Sequence, residues 1–202
     1  MATDGSPPRR LTRRFEEAMA YAVEIHAGQT RKGGSTPYVS HPMAVCSLVL
    51  EDGGSEDEAI AALLHDAVED GGGQPVLEEI RRRFGEKVAE IVWDCSDTDE
   101  VPKPPWLERK RTHIAHIRQA GPEARRVACA DKLHNARSIL YDYRVVGEEL
   151  WGRFTGTREQ VFWYFRSLVE AFQQTRTGSM ADELDRVVSE IEREASSEAS
   201  PG

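Results

Sequence analysis

The chain has 202 residues, 39% of them hydrophobic and 30% charged, enough to bury one substantial core, and its formal net charge at pH 7 is −9. That balance excludes broad nucleic-acid binding, which needs a basic surface that neutralises many phosphates. No run of about eighteen apolar residues occurs and the polar opening "MATDGSPPRR" is no secretory signal, so a soluble, cytoplasmic protein without membrane contact is expected.

Apolar residues recur at i, i+3 and i+4 from end to end, whereas period-two alternation is nearly absent, which predicts an all-α fold. Residues 1–10 read as a disordered start. A first helix over 12–27 aligns Phe15, Met19, Ala22, Val23 and His26 on one stripe. The Gly-rich loop "GQTRKGGSTPY" follows, and Pro42 opens a second helix in its first turn. Ser55 with Glu58 three residues later is a capping box, so a third helix is expected from about 56 to 70, stopped by "GGG" at 71–73. Shorter helices are expected at 76–84 and 86–95, broken by Gly85. The proline-rich "SDTDEVPKPPW", 96–106, reads as a loop, with helices resuming at 107–119 and 122–141. After a Gly/aromatic connection comes the aromatic-rich helix "REQVFWYFRSLVEAF", which could supply an interface between copies and leaves oligomeric state open. The division is one domain over 11–178, a charged C-terminal helix over 179–195 and a disordered tail over 196–202.

Cys46, Cys95 and Cys129 are odd in number and set in apolar sequence, as reduced core thiols are. The basic runs "TRK" (30–32) and "ERKR" (108–111) have an ordinary account as solvated faces.

Chemistry concentrates in "HDAVED", residues 65–70, directly after "AIAALL". On an unbroken helix of about 3.6 residues per turn, His65 lies above Glu69 and Asp66 above Asp70. The preceding apolar face points inward, so His65 and Asp66 are expected to be partly buried. Buried carboxylates in a group repel and need a cation. Two other segments offer completing ligands: His41 in "YVSHP", and Asp131 in "ACADKLHN", with Asn135 one turn further. Taken singly, each has a bland reading as a helix-entry histidine, an ion-pair partner or a helix end reaching solvent. Together, two imidazoles and two carboxylates make a mixed site suited to Mn, Fe, Co or Zn, with positions open for water.

"HAGQTRKGGSTPYVSHP", "AALLHDAVED" and "ADKLHNARSIL" resemble the three signature segments of the HD-domain (p)ppGpp hydrolases, found in the hydrolase half of Rel/SpoT enzymes and in stand-alone small alarmone hydrolases. The likeness spans about residues 12–142, and the chain stops where Rel/SpoT enzymes continue into a synthetase domain, so the stand-alone type is the nearer match. The resemblance implies an HD-domain helical bundle, one Mn²⁺ ion and release of pyrophosphate from the 3′ position of a guanosine tetra- or pentaphosphate. By motif, His41, His65, Asp66 and Asp131 correspond to the metal ligands, and Glu69 and Asp70 to the acid pair that orients and deprotonates water. Arg31 and Lys32 match the basic pair facing the nucleotide, Lys132 and Asn135 the segment meeting ribose or phosphate, and Arg158 is the candidate substrate arginine beyond it. His26 matches no ligand and is read as a core or supporting residue. The loop "GGST" is a residue longer than in many Rel-type sequences, which puts base and phosphate recognition in question. Two other readings keep the fold: removal of phosphate from another nucleotide such as NADPH, or a nucleotide sensor without turnover.

Overall fold

The computed structural model describes residues 10–96 and 104–198, which form ten α-helices and one 3-10 segment with no named strand among them. In chain order these are α1 (Arg13–Ile25), α2 (Ser40–Glu51), α3 (Glu56–Leu64), α4 (Ala67–Gly71), α5 (Gln74–Phe84), α6 (Glu86–Cys95), α7 (Trp106–Gln119), α8 (Pro122–Val146), the 3-10 segment Gly147–Arg153, α9 (Arg158–Gln174) and α10 (Ser179–Glu198). The all-α expectation holds, and its spacing rule works because nearly every helix buries one stripe. The expected disorder of residues 1–9 and 199–202, and most of the 96–106 loop, fall outside the described residues. Ser196 and Ser197, expected in the tail, are the last turn of α10.

The centre is α3, whose run from Ala59 to Leu64 is wholly buried among α1, α2, α6 and α8. Its small residues at 59, 61 and 62 let neighbouring backbones approach, while Ile60, Leu63 and Leu64 fill the gaps. The capping box is present as the sequence indicates: Ser55 Oγ accepts from Glu58 N–H, and Glu58 Oε2 accepts from Ser55 N–H at 2.7 Å. Glu58 is itself buried and is neutralised by Arg126 of α8, which also donates to Asp52 at 2.8 Å. The pair of contacts fastens α8 to the α2–α3 hairpin. On the far side, Arg144 of α8 donates to Glu194 at 2.7 Å and Arg166 of α9 pairs with Asp185 and Glu192, which holds α10 against both helices.

One expectation fails in a way that matters for the site. The single helix over 56–70 is interrupted at His65–Asp66, where α3 ends and α4 begins. Neighbouring residues on an unbroken helix project about 100° apart, so both side chains could not face one point. The turn at Asp66, with ψ −4°, brings them together and removes the assumed stacking of Asp66 over Asp70. Gly72 and Gly73, at φ +125° and +73°, then end α4 in backbone that other residues rarely adopt.

Candidate active site

Three of the fold's joints converge at one depression: the α2 entry, the α3–α4 break and the middle of α8. His41, one residue into α2, is 1% exposed and His65 2%. Nε2 of His65 lies 3.0 Å from Asp66 Oδ2 and 3.7 Å from Asp131 Oδ1, while Nε2 of His41 lies 3.1 Å from Asp131 Oδ1 and 3.6 Å from Asp66 Oδ2. Donors held about 2.1 Å from one ion sit about 3.0–3.4 Å apart at tetrahedral or octahedral angles, so this set has the spacing of a first coordination sphere. Ligand atoms of His41, His65 and Asp66 all fall within 4.8 Å of one another.

The imidazoles are aimed by their other nitrogens. His65 Nδ1 sits 2.9 Å from the carbonyl of Ala62, which can only accept, so its proton is at Nδ1 and Nε2 carries the lone pair. That buried Nε2 makes no hydrogen bond, despite an anionic oxygen at 3.0 Å. A lone pair facing carboxylates in the protein interior calls for a cation between them. His41 Nδ1 lies 2.7 Å from Nδ1 of His134.

The carboxylates are positioned as tightly. Asp66 Oδ2 accepts from the Tyr38 hydroxyl at 2.6 Å. Asp131 accepts from Lys132 Nζ at 2.6 Å and from Asn135 Nδ2 at 2.5 Å. Burial works against ionising Asp131, but Lys132 and the two imidazoles outweigh it and hold the carboxyl well below its ordinary range. Burial opposes charge on His65 too, yet Asp66 and Asp131 raise its proton affinity well above the usual value: here a proton does what a metal would do. His134 moves the other way, down to about 4, through burial and the nearby His41 and Arg31 charges.

Beside the ligands is a cavity of about 120 Å³, lined among others by Tyr38, Glu69, Lys110, His113, Lys132 and Asn135. Glu69 therefore stands at the cavity wall from α4, and the side chain of Asp70 lies outside the described residues. A short hairpin-like turn, with Arg31 N–H donating to Thr36 O at 2.9 Å, folds the basic loop back over α8. Arg31 there donates to Asn135 Oδ1 at 3.1 Å and Ser138 Oγ at 3.4 Å. Lys32 is exposed at the turn. Arg158 pairs with Glu148 and Glu159 at the start of α9 and is not among the residues that line the cavity. His26 is buried, stacked on Tyr38 with ring centroids 4.9 Å apart, and hydrogen-bonds Gln29 rather than joining the ligand set.

Sequence reasoning passed over Tyr38, His134, Lys110 and His113. Lys110 belongs to "ERKR", for which a solvated face was expected. Its Nζ instead lies 5.0 Å from the centre of the Tyr164 ring, where α7 meets α9. Only Tyr38 and His134 carried a usable signal, since each neighbours a ligand segment, "PYVSHP" and "ADKLHN".

The HD-domain family (HD_4, "HD domain") matches residues 18–149. The guanosine-3′,5′-bis(diphosphate) 3′-pyrophosphohydrolase MESH1 of Xenopus tropicalis is 40% identical over 126 residues, which is 61% of this chain and 68% of that protein. Its Homo sapiens counterpart is 37% identical over the same shares. Among solved structures, a metazoan ortholog of SpoT that hydrolyses ppGpp superposes with TM-score 0.73 at 27% identity, covering 89% of this chain and 96% of that one. With the ligand geometry and these likenesses together, the chain belongs to the HD-domain family, in the group that holds the MESH1 proteins.

Proposed function

We propose that the protein is a Mn²⁺-dependent guanosine-3′,5′-bis(diphosphate) 3′-pyrophosphohydrolase acting on (p)ppGpp in the cytoplasm. The observation that carries this reading is the convergence of His41, His65, Asp66 and Asp131 beside a cavity that has Glu69 in its wall and Lys110, Lys132 and Arg31 around it. The relatives named for this activity support the substrate, and three buried free cysteines suit a reducing compartment.

The four ligands would hold the ion, which supplies Lewis acidity toward a phosphoryl oxygen and toward water. Glu69 accepts the proton of the attacking water, and Asp70 shares that task or orients the acids. Lys110 and Lys132 offset phosphate charge inside the cavity, whose volume suits a diphosphate and leaves the nucleoside outside. Arg31 and Lys32, with Asn135, meet the nucleotide along the rim, where the guanidinium plane can stack on a purine. Hydrolysis breaks the bond between phosphorus and the ribose 3′ oxygen: the water oxygen leaves on pyrophosphate and a proton goes to the 3′ hydroxyl. Locally placed cations explain how a chain of net charge −9 takes a polyanion.

The test is to incubate purified protein and Mn²⁺ with ppGpp and, in parallel, NADPH, and to resolve the products. Pyrophosphate and GDP from ppGpp are expected. Phosphate release from NADPH alone would move the substrate assignment, and no turnover of either would make the chain a sensor.

A further inference from the structure

We propose that His134 is a positioning residue for the metal site: its Nδ1 accepts the Nδ1 proton of His41 and so fixes the tautomer in which His41 Nε2 offers a lone pair to the ion. This rests on the metal reading of the four-residue cluster, not on the identity of the substrate.

The two metal-ligating imidazoles are fixed in different ways. His65 donates to a main-chain carbonyl, which has no proton to give, so its tautomer does not depend on any side chain. His41 faces another imidazole nitrogen at 2.7 Å, and two neutral rings at that distance share a single proton. If His134 supplied it, the His41 proton would sit on Nε2 and close that nitrogen to a metal. If His41 supplies it, Nε2 is open.

The surroundings decide between these. A proton on His41 Nε2 would need Asp131 Oδ1, 3.1 Å away, as its acceptor. That oxygen already accepts from Asn135 Nδ2 at 2.5 Å, and Oδ2 accepts from Lys132 Nζ at 2.6 Å. On the other flank, the Arg31 guanidinium is tied to Asn135 and Ser138, the residues beside and one turn beyond His134, and adds positive charge that disfavours a second proton on that ring. The rings of His41 and His134 are 4.8 Å apart at 37°, so the contact is also packed, which limits rotation of His41 about its own bond.

The experiment reads the tautomer directly, without substrate. In ¹⁵N-labelled metal-free protein near pH 8, long-range ¹H–¹⁵N spectra are expected to show His41 protonated at Nδ1. In His134→Phe, which keeps a ring but no acceptor, the His41 proton is expected at Nε2, and Mn²⁺ affinity by calorimetry is expected to fall about 10- to 100-fold. His134→Gln, whose amide oxygen can accept, is expected to restore the Nδ1 proton and most of the affinity. An Nε2 proton on wild-type His41 would overturn the proposal, as would His134→Phe binding Mn²⁺ like wild type. Should His134→Phe fail to fold, the wild-type spectrum and the His134→Gln variant decide. Loss of ppGpp hydrolysis in the wild type would bear on the proposed function and leave this result intact.

Discussion

Tyr38 donates its hydroxyl proton to Asp66 Oδ2 at 2.6 Å, and so ties the basic loop to the break between α3 and α4. The same oxygen lies 3.0 Å from His65 Nε2. Hydrogen bonds to a charged acceptor contribute about 1.5–3 kcal/mol, and orienting partners of metal ligands matter about 10-fold or more. Tyr38→Phe is expected to weaken Mn²⁺ binding about 10-fold while leaving the helical circular-dichroism spectrum unchanged. Calorimetric titration checks this, and unchanged affinity would free Asp66 from dependence on Tyr38.

Glu69 lines the cavity without belonging to the ligand cluster. Glu69→Gln keeps shape and removes the proton acceptor, so turnover is expected to fall by about 10²–10⁴ with metal content near that of wild type. Single-turnover rates together with metal analysis separate the two effects. Full activity in that variant would remove Glu69 from the mechanism.

Asp131 is the ligand whose loss leaves most behind. Its partner Lys132 is 15% exposed in its side chain and depends on that carboxylate at 2.6 Å. Asp131→Ala is expected to lose metal affinity by more than about 100-fold and to cost several kcal/mol of stability, because an unpaired buried ammonium remains. Denaturant unfolding and metal content are the measurements. A variant with unchanged metal content would mean that Asp131 is not a ligand.

Gly33 sits at φ +82°, and a Cβ there would meet the Arg153 guanidinium at 2.7 Å. Arg153 is held by Asp142 at 3.1 Å and so presses on the loop that presents Arg31. Gly33→Ala is expected to raise KM for ppGpp several-fold with a smaller change in kcat, since the cost falls on loop geometry. Steady-state kinetics checks this, and an unchanged KM would show that the loop tolerates displacement.

Cys95 borders the cavity but is only 9% exposed, and burial raises its thiol far above the reactive range. Cys129 is raised in the same way, and Cys46 is pushed up to about 12 from 9.0 by burial. Groups whose folded pKa is raised contribute stability that is complete below the unfolded value and is lost as pH rises through the window above it. Stability is therefore expected to be indifferent to the thiols below pH about 9 and to decline from there toward 12. Cys46→Ala should make that decline shallower. At pH 8, activity should resist thiol-alkylating reagents, and rapid inactivation would show that Cys95 is reachable.

The helical elements were legible because nearly all are amphipathic and end at Gly or Pro: α6 runs from Glu86 to Cys95 as its flanking glycine and apolar spacing indicate. The break at His65–Asp66 was not. "AALLHDAVED" carries no helix breaker, and only the requirement that adjacent side chains meet one ion gives the turn its reason. The ligand set could be read from residue type within three segments. The supporting shell could not, because Tyr38 and His134 are ordinary in their local sequence and acquire their roles through contacts 28 and 93 residues away. Lys110 was hidden differently: a basic run says nothing about which of its members turns inward.

The most direct measurement is anomalous diffraction at the manganese edge from crystals of the protein soaked in Mn²⁺. One strong peak is expected among His41 Nε2, His65 Nε2, Asp66 and Asp131. Ordered density for those four side chains with no peak between them, or a peak at other residues, would contradict a metal-centred hydrolase.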